Sequence, residues 1–140
     1  MQVCELSEDY LSPTANFKRI LVGQNREAPA MFRFEGVYYL ITSLCTGWDP
    51  NMALYATASS PMGDWEMKSN PCTGADADST YHAQSTFILP MPGHRNAFVF
   101  MSDRWNKTDL EDSRYVWLPM TIADGKPIIV WQDTWIPKLR

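Results

Sequence analysis

The sequence predicts an all-β protein, and three observations carry that prediction. Six Trp, six Tyr and six Phe load the 140-residue chain with aromatics. Ten prolines and seven glycines supply frequent chain reversals. Short runs of aromatic and β-branched residues recur between turn formers, and no segment of useful length repeats at the helical period.

Taken in order, Phe17 to Val22 alternates loosely and reads as a strand. Met31 to Phe34 and Val37 to Thr42 flank Glu35-Gly36, a two-residue signal for a β-hairpin. The loop Cys45 to Asn51 leads into a strand at Met52 to Ala58, and Pro61 to Trp65 is a turn ending on an aromatic anchor. Asn70 to His82 is polar and aperiodic, hence a loop. Gln84 to Leu89 and Ala97 to Met101 read as strands around the turn Pro90 to Arg95. Asp103 to Ser113 reads as a charged loop, and Tyr115 to Ile122 pairs with Ile128 to Trp131 around Ala123-Asp124-Gly125-Lys126.

Strands of this spacing suit a sandwich or a propeller. A faint repetition favours the propeller: a hairpin, a loop and a second hairpin occur twice, with aromatic positions recurring at Trp65 and at Trp131 and Trp135. At a few tens of residues per blade the chain holds about three four-stranded blades, whereas closed propellers usually have about four to eight. The chain is therefore expected to be one part of a larger domain, and its first residues begin mid-pattern without a cap or leader.

Composition narrows the function. A formal net charge of −4 argues against a nucleic-acid surface, which needs clustered positive charge. No apolar run approaches the roughly 20 residues that span a bilayer, and no signal peptide is visible. Cys4, Cys45 and Cys72 allow at most one bridge and read as small buried hydrophobes. His82 and His94 are not spaced as a metal pair, so no metal or other cofactor is expected. Neither a Gly-x-Ser-x-Gly elbow nor a phosphate loop is present.

One carboxylate stands out. Glu27 directly precedes a predicted strand, and Pro29 calls for extended backbone just after it. Among the hairpin's aromatics, a carboxylic acid holds its proton to higher pH, which suits protonation of a sugar leaving group. The competing reading is a surface ion pair with Arg26; the acid role requires Arg26 to point to the other face, as strand alternation allows. Trp48, in a Gly-Trp-Asp-Pro loop, offers a flat face to a pyranose or packs in the core. Thr46, Asp49 and Asn51 are either hydroxyl-binding groups or ordinary turn residues. Arg104, within Asp103-Arg104-Trp105, lines a pocket rim or belongs to a loop ion pair with a packed ring, the structural role being favoured. Tyr115, Trp117, Trp131 and Trp135 are expected to pack between blades.

Several segments together resemble glycoside hydrolase family 43, in its branch similar to exo-β-1,3-galactanases. These are Arg26 to Phe32, Gly36 to Ser43, Thr46 to Asn51, Gln84 to Pro90, Asp103-Arg104-Trp105 and Ser113 to Pro119. The resemblance covers nearly the whole chain in order. It implies part of a five-bladed β-propeller with a sugar pocket at its axis, residues 1–140 being the C-terminal part of one catalytic domain. It implies that Glu27 is the general acid, matching a Glu-Gly/Ala-Pro motif. It further implies that Gln84 lines the site, matching Gln-Ser/Thr-Thr-Phe, where a neutral amide can hold a water or a hydroxyl but cannot act as a base. The usual base is an Asp of the first blade, outside these residues. The implied activity is inverting, exo-acting hydrolysis of β-1,3-galactan by a secreted or periplasmic protein, with no cofactor. These residues alone are expected to be inactive and to self-associate. Two other readings remain: a non-catalytic carbohydrate-binding propeller segment, and an arabinofuranosidase or xylosidase of the same family.

Overall fold

The computed structural model describes residues 1–137. The strands are β1 Gln2–Leu6, β2 Pro13–Arg19, β3 Arg26–Phe34, β4 Val37–Leu44, β5 Leu54–Ala58, β6 Glu66–Met67, β7 Cys72–Thr73, β8 Gln84–Pro90, β9 Ala97–Arg104, β10 Arg114–Ala123 and β11 Lys126–Val130. Two 3-10 segments, Ala77–His82 and Leu110–Asp112, lie in stretches that read as loops. The described residues are thus all-β, as the sequence predicts.

The strands form three sheets: a β1–β2 hairpin, a sheet in the order β3-β4-β5-β6, and one in the order β7-β11-β10-β9-β8. Pairing is antiparallel except where β7 joins β11 in parallel, Cys72 opposite Ile129. Where length alone suggests about three four-stranded units, the described residues build two larger sheets and a lone hairpin. The short β6 and β7 carry no alternation to read, and in β1 the apolar Val3, Cys4 and Leu6 do not alternate.

Two tight turns form as the local chemistry requires. Glu35-Gly36 and Asp124-Gly125 take φ of 48°, 84°, 51° and 71°, the left-handed pairs that match the twist of two-residue hairpins. The core lies between the two larger sheets. Ala30, Phe32, Tyr39, Ile41 and Tyr55 of one meet Ile88, Phe98, Phe100, Leu118 and Met120 of the other. Phe32 stacks on Tyr39 at 5.0 Å and touches Phe98 at 5.3 Å. The Tyr39 hydroxyl donates to the carbonyl of Gly125 at 3.2 Å, stitching the sheets at one end.

Tyr115 and Trp117 do not face this core: they lie exposed on β10, alternating with the buried Val116 and Leu118. The Trp135 indole donates to the Trp117 carbonyl at 2.7 Å on that same outer face. All three cysteines are unbridged, and only Cys72 is buried, so the hydrophobe reading fits that one alone.

Candidate active site

Strand β3 does not continue regularly through Pro29. Ala30 pairs with Ile41 and Glu27 with Ser43, so three steps on β3 oppose two on β4: a β-bulge. Ala28 takes φ 51°, so the backbone before Pro29 is left-handed rather than extended. The bulge changes which side chains face the core. Counting back by twos from Phe32 and Ala30 would put Ala28 and Arg26 inward; the extra residue brings Glu27 to that face instead.

Arg26 accordingly turns to the opposite face. Its buried guanidinium donates to Thr42 Oγ1 at 3.0 Å and to the Thr42 carbonyl at 2.6 Å. The ion-pair reading of Arg26 and Glu27 falls on that geometry. Glu27 is not wrapped in aromatic rings as the hairpin's composition suggests, because Phe32 and Tyr39 pack between the sheets. What meets its carboxylate is an amide: Gln84 Nε2 donates to Glu27 Oε1 at 2.8 Å.

Gln84 starts β8, the strand of the second sheet packed against β3. Its Nε2 also donates to Ser43 Oγ at 2.8 Å, and its Oε1 accepts from Trp105 Nε1 at 3.2 Å. The next residue, Ser85, donates to the Ala28 carbonyl at 2.7 Å, so β8 itself holds the bulge of β3. A second bulge, between Ser85 and Phe87 opposite β9, follows at once.

Upstream of Gln84 the backbone is strained. Thr80, Tyr81 and His82 take φ of 53°, 56° and 59°, three successive left-handed residues of which one is β-branched. Buried hydrogen bonds hold them there. Thr80 Oγ1 donates to the Asn51 carbonyl and accepts from the Ala53 amide, both at 2.8 Å. Tyr81 Oη lies 2.9 Å and 2.8 Å from the carbonyls of Thr73 and Ile129.

Beside this network lies an open cleft of about 580 Å³, with Ser43, Trp48, Asp49, Gln84, Arg104 and Trp105 among its lining. Glu27 is not part of that lining; it reaches the cleft through Ser43 and Gln84. Trp48 and Trp105 meet edge to face at 5.2 Å, and both are partly exposed to the cleft. Asp49 pairs with Lys107 at 2.6 Å, linking the loop after β4 to the loop after β9.

The other predicted binding residues do different work. Thr46 donates to the Asp49 carbonyl, and the Asn51 amide donates to Leu44 O and Thr46 Oγ1 while accepting from the Leu44 amide. Both side chains are consumed in shaping their own loop. Arg104 belongs to the end of β9 rather than to a loop. It donates to the Tyr81 carbonyl at 2.6 Å and stacks over Trp131 at 5.3 Å, with Nε buried and unpartnered.

Sequence reading undervalued two groups, Trp105 and Ser43, both bonded to Gln84. The Asp-Arg-Trp run was the available signal for Trp105; Ser43 gave none beyond its place at the end of a strand. Cys45 also sits near the carboxylate: desolvation, then the charge and hydrogen bonding of Glu27, push its thiol pKa up. Among the described residues no group of three or more His, Cys, Asp or Glu could hold a metal ion. No described helix is long and apolar enough to cross a membrane.

No family sequence model and no curated protein matches the chain. Solved structures do. A family 43 β-1,3-galactosidase with galactodeoxynojirimycin is 52% identical with a TM-score of 0.92, covering 96% of this chain and 39% of its own. An exo-β-1,3-galactanase from Clostridium thermocellum is 37% identical at TM-score 0.81, covering 91% of this chain and 28% of its own. A variant of the Phanerochaete chrysosporium exo-β-1,3-galactanase, with β-1,3-galactotriose, is 31% identical at TM-score 0.79, covering 92% and 29%. This chain thus spans between 28% and 39% of the length of those three structures. With more than half of its residues identical across 96% of its length, the chain belongs to glycoside hydrolase family 43.

Proposed function

We propose that the protein hydrolyses β-linked galactan, releasing sugar from the end of β-1,3-galactan with inversion, and that Glu27 is the general acid. The observation that carries this reading is the contact between Glu27 and Gln84. Two residues 57 positions apart, each the head of a family-like motif, meet at 2.8 Å beside an open aromatic cleft. Similar solved structures described as a β-1,3-galactosidase and as exo-β-1,3-galactanases support the linkage and the sugar.

In this role Glu27 protonates the departing glycosidic oxygen, while Trp48 gives a flat apolar face to the C–H side of the sugar. Gln84 accepts a hydrogen bond from a hydroxyl or a water. An inverting site needs its acid and base about 6.5–9.5 Å apart to admit a water between them. Glu27 and Gln84 are in direct contact, so Gln84 does not stand where the base belongs. The base carboxylate is assigned to a part of the protein beyond these residues. That fits residues 1–140 as the C-terminal part of a five-bladed propeller domain, the two larger sheets being successive blades with β3 and β8 innermost. The protein acts outside the cytoplasm, secreted or periplasmic, because a polysaccharide does not cross a membrane to reach it.

The test is turnover of β-1,3-galactan by the full-length protein carrying Glu27→Gln. A loss of about 10²–10⁴-fold is expected for removing a general acid. Wild-type turnover ends the acid assignment, and saturable binding without new reducing ends in the unsubstituted protein replaces hydrolysis with glycan binding.

A further inference from the structure

The carboxamide of Gln84 is committed on almost every side. An amide group offers two N–H donors and an oxygen with two lone pairs. Both donors are used, one on Glu27 Oε1 and one on Ser43 Oγ, each at 2.8 Å. One lone pair is used as well, by the indole N–H of Trp105 at 3.2 Å. What remains is a single acceptor position on Oε1, at a residue that lines the cleft.

Flipping the amide would break this arrangement twice. Its oxygen would face the Glu27 carboxylate, acceptor against acceptor. Its nitrogen would face the Trp105 indole, donor against donor. The indole cannot adapt in any state, because its N–H only donates; the Glu27 group opposes the flip whenever it is a carboxylate, which only accepts.

We propose that Trp105 and Ser43 are positioning residues: the Trp105 N–H fixes which way round the Gln84 amide sits and the Ser43 hydroxyl anchors its nitrogen end, so that it presents an acceptor to the substrate and holds the Glu27 carboxyl in place. This rests on the reading of Glu27 as the acid and Gln84 as a site residue. It separates two roles that Trp105 could have. As a sugar platform the ring face matters; as a positioning group only the N–H does.

Trp105→Phe makes that separation, keeping an aromatic ring against Trp48 while removing the donor. With β-1,3-galactan and the full-length protein, kcat is expected to fall about tenfold with KM within about twofold, since small misplacement at a reacting centre acts on rate. Ser43→Ala is expected to act in the same direction, and Ser43→Thr, which keeps the hydroxyl, to restore most of the rate. A kcat within twofold of wild type in Trp105→Phe, or a KM effect larger than the kcat effect, overturns the inference. A second readout does not need activity. The side-chain amide signal of Gln84 in a nitrogen-15 NMR spectrum, identified by its loss in Gln84→Ala, is expected to move toward the solvent-exposed position in both variants. An unmoved signal in both overturns the inference even if no galactan is cleaved. Conversely, if Glu27→Gln turns over like wild type, the acid assignment fails while these measurements still decide the positioning.

Discussion

The most consequential single residue is Ala28. Its left-handed φ of 51° is what makes the bulge, and the bulge is what turns Glu27 inward. A side chain with a Cβ costs roughly 1–2 kcal/mol there relative to glycine, partly offset by the freedom glycine adds to the unfolded chain. Ala28→Gly should therefore leave the melting temperature unchanged or raise it slightly. Ala28→Val places a β-branched residue in the same conformation and should destabilise by about 1–3 kcal/mol. Urea unfolding of the two variants checks this, and equal destabilisation by both sinks the account. The conformation was not legible in the sequence. A proline at 29 argues for extended backbone at 28, and only the packing of β8, through the Ser85 hydroxyl on the Ala28 carbonyl, overrides it.

At the level of elements, what could be read was local. The Glu35-Gly36 hairpin was visible because its turn chemistry sits in two adjacent residues. The left-handed turn at 80–82 was hidden, because Thr80 and Tyr81 are held by partners on distant strands and loops. The meeting of Glu27 with Gln84 depends on the bulge in β3, which no count of alternation supplies.

The parallel seam of β7 and β11 carries a pH dependence. Burial pushes the Cys72 thiol from 9.0 up to about 12, against a small opposing hydrogen bond from Tyr81. Burial also raises the Tyr81 phenol. Both groups ionise more readily in the unfolded chain than in the folded one. Their stabilising contribution is thus fully present below pH 9 and is lost as pH climbs toward 12. Melting temperatures measured from pH 8 to 11 should fall, and fall less steeply in Cys72→Ala. Parallel curves for the two proteins would show that the thiol does not contribute.

For the whole molecule, the two larger sheets share one core, yet β10 leaves Tyr115 and Trp117 on an uncovered face, and the β1–β2 hairpin exposes Leu6 and Phe17. Exposed aromatic surface next to open strand edges favours association. Residues 1–140 expressed by themselves are expected to sediment as oligomers or precipitate, and Tyr115→Ser with Trp117→Ser to shift them toward monomer. A monodisperse wild-type monomer would count against this.

The bulge in β3 also has a meaning for kinship. From Ala30 onward the even-numbered positions of that strand face the core, whereas upstream the inward residue is the odd-numbered Glu27. The strand changes phase across three residues, at a glutamate followed by a small residue and a proline. The break in parity, rather than any particular neighbour, is what a related sequence would have to share to bring a carboxylate to this face.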